Sequence, residues 1–117
     1  MITSPDCLFC KIAAGKIKAD VIHENESVIA FRDINPQAPT HVLIVPRNHV
    51  PTINDLTESE IGEVGRLFLA AKQVARQEGV DESGYRVVMN CGEGAGQSVF
   101  HIHLHLLGGR PLRWPPG

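Results

Sequence analysis

A chain of 117 residues is long enough for one compact core and too short for two, so a single domain over residues 1–117 is expected. A net charge of −2 leaves no basic footprint for nucleic acid, and no apolar run approaches the ~20 residues of a membrane span. Met1-Ile2-Thr3-Ser4-Pro5-Asp6 lacks the basic start and apolar stretch of a secretion signal, which makes a cytoplasmic location the default expectation. The three cysteines, Cys7, Cys10 and Cys91, are an odd count that argues against a disulfide framework. The gap between Cys7 and Cys10 suits metal ligation or redox chemistry.

Cys7 to Ala14 carries apolar residues at helical spacing and stops at Gly15, predicting one short helix. Val21 to His23 and Ser27 to Phe31 are β-prone runs joined by a hairpin turn at Glu24-Asn25-Glu26. Asp33 to Thr40 holds two prolines and reads as a loop; His41 to Pro46 reads as a buried strand ended by proline. Thr57-Glu58-Ser59-Glu60 has the form of a capping box. Ile61, Val64, Leu67, Phe68, Ala71, Val74 and Ala75 then make a stripe of period 3.6, expected to face the core, with Gly79 as the stop. Tyr85 to Met89 and Val99 to Leu107 are two further strands. The sum is an α+β fold with a mainly antiparallel sheet of about five strands and one long helix.

The last predicted strand carries the chemistry. Side chains alternate along a strand, so His101, His103 and His105 share one face while Phe100, Ile102, Leu104 and Leu106 take the other. Same-face neighbours lie ~6.5–7 Å apart, which places His101 and His105 ~13 Å apart and rules out one metal ion held by all three. Two neighbours remain able to ligate a metal. A phosphate fits the rest better: Asn90-Cys91-Gly92-Glu93-Gly94-Ala95-Gly96 is glycine-rich, which lets backbone N–H groups approach an anion, and Gln97 and Ser98 add donors. An imidazole is largely neutral near pH 7 and is then a competent nucleophile.

His101 to Leu107 fits the pattern His-φ-His-φ-His-φ-φ, with φ apolar, at every position. The chain thus resembles the histidine triad (HIT) family, and within it the Hint branch of nucleotide-binding purine phosphoramidases. The finer match lies in Ala30-Phe31-Arg32-Asp33-Ile34, Pro36 to His41, Gly96 to Phe100 and Trp114-Pro115-Pro116-Gly117. The resemblance runs from about Phe9 to Gly117. It implies hydrolysis of the P–N bond of a purine nucleoside phosphoramidate, with His103 as nucleophile and the carbonyl of His101 setting its tautomer. It also implies His105 and Gln97, beside Gly96, on the phosphate, and Ser98 toward the leaving group. Phe31, Asp33 and Ile34 would line the nucleoside pocket, Asn90 would touch the nucleotide, and His41 would stand behind the triad. Without the resemblance, Phe31 and Ile34 serve equally as core and Asp33 as a turn former.

Members of this branch are homodimers with a sheet continuous across the interface, and their tail reaches the partner's site, which would account for Trp114 near a chain end. Relatives with an N-terminal Cys-x-x-Cys bind structural zinc; the matching ligands here are Cys7, Cys10, His49 and His101. No organic cofactor is implied. Two alternatives share these motifs, a dinucleoside polyphosphate hydrolase and a nucleotide-binding adaptor with little turnover.

Overall fold

The protein is described by a computed structural model that covers residues 1–117. Five strands, β1 (Val21–Glu24), β2 (Val28–Arg32), β3 (Thr40–Pro46), β4 (Tyr85–Val88) and β5 (Leu104–Gly108), form one antiparallel sheet in the order β1-β2-β3-β5-β4. The short helix α1 (Leu8–Ala13) and the long helix α2 (Ile61–Gln77) complete the regular structure. This is the α+β architecture expected from the sequence.

The two faces of the sheet bury different things. One packs Val28, Ala30, Val42, Ile44, Leu104 and Leu106 against Leu67, Ala70, Ala71, Val74 and Ala75 of α2. The other packs Ile29, Phe31, Leu43 and Val45 against Phe9 and Ile12 of α1. All seven residues of β3 are buried because both faces are covered, which is why His41 to Pro46 reads as an unbroken apolar run. Across three strands Phe31 pairs with Leu43 and Leu43 with His105, so these side chains form one row beneath α1.

The helix boundaries follow local chemistry. Cys7 caps α1, its Sγ accepting from the N–H of Cys10 (3.4 Å). The capping box at Thr57 is present, with Glu60 Oε1 accepting from Thr57 N–H (2.8 Å). It closes a 3₁₀ turn over Glu58–Glu60, and the α-helix proper starts one residue later, at Ile61. At the far end Gly79 takes φ +74°. The N–H of Val80 returns to Ala75 (3.0 Å) and that of Gly79 to Arg76 (3.2 Å), a Schellman ending.

Two expectations need correction. The helical stripe is only partly core: Phe68 is 52% exposed and Ile61 68%, while Ala70, outside the stripe, is buried. The helix meets the sheet along Leu67, Ala70, Ala71, Val74 and Ala75, and Ile61, Phe68 and Leu69 face away from it. The last strand is also shorter than Val99 to Leu107. It starts at Leu104, because the N–H of Ile102 bonds to Val50 (2.8 Å) and the carbonyl of His101 turns to the His103 ring (2.8 Å). Alternation nonetheless survives through the irregular stretch: Ile102, Leu104 and Leu106 enter the α2 core, and the three histidines stand opposite. Phe100 departs from it, 47% exposed instead of packed with them.

Candidate active site

The histidine face opens into a cavity of about 600 Å³ between α1, the end of β2 and the loop before β5. Such a volume suits a small organic ligand. Its apolar wall is Leu8, Phe9, Ile12, Ile17, Phe31, Leu43 and Val99, and its polar groups include Asp20, Arg32, Asp33, Ser98, His103 and His105. Phe31, Asp33, Ile34, Ser98, His103 and His105 therefore line one cavity, with Ile34 fully exposed. Phe9 was not anticipated. It packs edge-on against both His103 (centroids 5.0 Å apart) and Phe31 (5.5 Å). Lying between two cysteines, it gave no signal of its own in the sequence.

Hydrogen bonds define the state of His103. Its Nδ1–H donates to the carbonyl of His101 (2.8 Å), which leaves Nε2 as a bare lone pair. Burial holds its pKa below the ordinary histidine value, so the ring is neutral near pH 7. His105 is pushed down to about 4, first by burial and then by the neighbouring His103 and His41 rings. It too is neutral. A buried, oriented, uncharged imidazole at the floor of a cavity is a nucleophile's arrangement.

His41 sits behind them. Because His41 pairs with Leu107 and His105 with Leu43, the two histidines are diagonal neighbours on one sheet face. His41 Nε2 and His105 Nδ1 are 2.9 Å apart, and Asp33 Oδ2 is 3.4 Å from the same Nε2. Burial lowers the His41 pKa, against an opposing pull from Asp33.

The loop Gly92 to Ser98 is braced from within. Gln97 Oε1 accepts from Gly92 N–H (2.8 Å), and its Nε2 donates to the carbonyls of Pro51 (2.8 Å) and Val99 (3.1 Å). Its side chain is thus fully engaged with backbone. Gly92 and Gly96 take φ +88° and +91°, a conformation side chains other than glycine's resist. Neither Asn90, Gly96 nor Gln97 lines the cavity. Ser98 does, and it also borders an adjoining open hollow of about 420 Å³ that contains Asp6, His49, Pro51 and Phe100. Trp114 is 82% exposed and lies outside the cavity.

Behind the triad Cys7, Cys10, His49 and His101 bring one ligand atom each to within 4.8 Å of the others. A tetrahedral metal with two thiolates and two imidazoles requires ligand separations of about 3.4 Å for N···N and about 3.6 Å for S···N. The observed values are 3.2 Å for His49 Nδ1···His101 Nδ1, 3.3 and 3.5 Å from His101 Nδ1 to Cys7 and Cys10, and 3.6 Å from His49 Nδ1 to Cys10. His101 Nε2–H donates to the carbonyl of Pro46 (2.7 Å), so Nδ1 turns a lone pair toward the other three. These residues fit and could hold a divalent metal.

A buried neutral imidazole in a ligand-sized cavity, backed by a metal-shaped cluster, defines a class of site, and comparison with known proteins gives the class its family. Residues 14–112 match the model of the HIT domain. The purine nucleoside phosphoramidase of Escherichia coli (strain K12) is 48% identical over 107 residues, covering 92% of this chain and 90% of that protein. A 14 kDa zinc-binding protein of Zea mays is 52% identical over 112 residues, covering 94% and 87%. Among solved structures, a HIT family hydrolase from Legionella pneumophila Philadelphia 1 superposes with TM-score 0.94 and 54% identity, covering 96% of this chain and all of that one. The chain belongs to the HIT family. It is a hydrolase of that family.

Proposed function

We propose that this single HIT domain hydrolyses the P–N bond of purine nucleoside 5′-phosphoramidates through a nucleotidyl intermediate on His103. The carrying observation is the His103 ring: buried, neutral, with Nδ1–H tied to the His101 carbonyl and Nε2 free toward the cavity. The relative named purine nucleoside phosphoramidase supports the choice of bond and base.

In this reading the base lies on the apolar wall by Phe31 and Ile34, and Asp33 accepts from the ribose hydroxyls. His103 Nε2 attacks phosphorus, and the P–N bond to the amine breaks. The departing nitrogen must receive a proton, since an amide anion is a very poor leaving group; water in the open cavity would supply it, and Ser98, which lines the cavity, would hydrogen-bond that nitrogen. The hollow on the far side of Ser98 is open to take the amine. Water then cleaves the phosphorus–histidine bond and releases nucleoside monophosphate. His105 donates to the phosphate oxygens. Gln97 contributes by bracing the loop, leaving backbone N–H groups around Gly96 to meet the anion. Asn90 borders that loop.

Zinc is the metal we assign to Cys7, Cys10, His49 and His101, in line with the zinc-binding relative. With four protein ligands it would be structural, clamping α1 to the His101 segment and so fixing the carbonyl that orients His103.

We also propose a homodimer. Ile61, Phe68 and Leu69 lie on one apolar face of α2 turned from the core, and β4 is a free sheet edge. Arg86 on β4 holds the tail through the carbonyls of Leu112 (3.4 Å) and Arg113 (2.9 Å), close to that edge; in the dimer Trp114 would reach toward the partner. Substituting Phe68→Glu should convert a dimer into a monomer in sedimentation analysis; a wild-type monomer would refute the assembly.

Steady-state kinetics on adenosine and guanosine phosphoramidates, alongside a diadenosine polyphosphate, test the activity, with mass detection of the adduct. A mass increase of one nucleotidyl group, mapped to His103, is expected. Preferential cleavage of the polyphosphate, or a label on another residue, would overturn the reading.

A further inference from the structure

The cavity has a charged rim that the proposed reaction leaves unused. Lys18, Asp20 and Arg32 all line it. Asp20 directly precedes β1 and Arg32 ends β2, while β3 separates β2 from the triad strand β5. These charges therefore stand across the cavity from His103 and His105.

The rim is built into the fold. The N–H of Arg32 donates to the Asp20 carbonyl (3.0 Å), which fixes the Asp20 backbone. Nη1 and Nη2 of Arg32 donate to Oε1 and Oε2 of Glu78 (2.6 and 3.0 Å), a bidentate anchor to the end of α2. Nε of the same guanidinium lies 3.6 Å from Asp20 Oδ2, an ion pair too long to be a hydrogen bond. Arg32 thus holds the Asp20 carboxylate in place while leaving its acceptor sites open to a ligand.

We infer that Asp20 is a specificity-determining residue that makes the site favour guanine over adenine, with Arg32 as its positioning residue. This rests on the proposed nucleotide reading. With phosphate at His103 and ribose at Asp33, the N1 edge of a purine, opposite its ribose, points to the far rim. A carboxylate can only accept hydrogen bonds. Guanine offers it two parallel donors, N1–H and the 2-amino group. Adenine offers one, its 6-amino group, and turns the N1 lone pair toward the same oxygens. Lys18 can donate to a ring or carbonyl acceptor on either purine and so does not choose between them. Because the Asp20 side chain is 72% exposed, water competes for it and the preference is modest.

Calorimetric titration of the intact protein with GMP, IMP and AMP tests the assignment. GMP is expected to bind about five- to tenfold more tightly than AMP. IMP, which keeps N1–H but lacks the 2-amino group, should fall between them. In Asp20→Ala the GMP-to-AMP preference should shrink to within about twofold. Arg32→Gln should also reduce the preference, and should reduce it no further in the Asp20→Ala background. A merely structural role for Arg32 would weaken both nucleotides alike. Each preference compares two ligands on one protein, so a loss of folded fraction cancels.

Equal affinities in wild type, tighter binding of AMP, or a preference unchanged in Asp20→Ala would each overturn the inference. An unchanged preference in Arg32→Gln would strike its positioning role. If phosphoramidates are cleaved without base preference, the reaction stands and the role of Asp20 falls. If GMP is preferred through Asp20 and no phosphoramidate is cleaved, the base assignment stands and the reaction falls. Binding of neither nucleotide overturns both.

Discussion

Two clusters of histidine flank the cavity, similar in composition and opposite in proton logic. In the first, Cys7, Cys10, His49 and His101 converge on one point, and His101 directs its only proton outward to the Pro46 carbonyl. Lone pairs and thiols meet in the middle, an arrangement a cation completes. In the second, the Gln37 N–H pushes the His41 proton inward, so Asp33, His41 and His105 satisfy one another without an ion. One backbone group outside each cluster, an acceptor at Pro46 and a donor at Gln37, sets which kind it is. Proximity of ligand atoms therefore does not identify a metal site; the direction of the outer hydrogen bond does.

The largest effect expected comes from the residue between the clusters. Replacing His103→Ala should lower phosphoramidate turnover by at least about 10⁴-fold while circular dichroism and AMP binding stay near wild type. Residual activity within a few-fold of wild type would remove His103 as nucleophile.

Next in size, Cys10→Ala should release the metal, drop the thermal midpoint by ~10 °C or more, and reduce turnover through the loosened His101 carbonyl. In the second cluster Asp33→Asn should leave metal content unchanged. Elemental analysis of both variants therefore puts the contrast to a direct test: equal metal loss in the two would erase the distinction.

A smaller effect concerns pH. As the proposed nucleophile His103 would react neutral, and burial holds its pKa below the ordinary histidine value, so kcat/KM should be flat near pH 7. It should fall only as pH drops through the lowered value, by about tenfold per unit once the ring is mostly protonated. An acid limb above pH 6.5 would contradict the burial argument.

The smallest is packing. Phe9 packs edge-on against His101 of the cysteine–histidine cluster (centroids 5.9 Å apart) and against His103 (5.0 Å). Phe9→Ala should destabilise by about 3–5 kcal/mol in denaturant titration and blur the fixed orientation of both rings. A loss under about 1 kcal/mol would mean α1 is not anchored through this ring.

Much of this was legible before any coordinates. Alternation of apolar and imidazole side chains placed Ile102, Leu104 and Leu106 in the core and the histidines opposite, because strand geometry has period two whatever surrounds it. The capping box at Thr57 and the stop at Gly79 were equally local. Local patterns failed where a distant partner decides. That Phe100 is exposed, and that the strand starts only at Leu104, depends on Val50 claiming the Ile102 N–H and on the His101 carbonyl serving the His103 ring. The exposure of Phe68 depends on which third of α2 the sheet can cover.

The sequence by itself determined the element types and the triad face, since those rest on residue identity and short-range periodicity; the four metal-type ligands came only with the family resemblance. Only the tertiary structure decided where the ring protons of His101, His41 and His105 lie. The tautomer of His101 is chosen by a backbone group 55 residues away, Pro46, and that of His41 by Gln37 across a folded-back loop, which in turn bears on His105 64 residues away. Nothing in the spacing of histidines encodes the direction of those carbonyls and amides; it follows from how β3, β5 and the loop before β3 pack together.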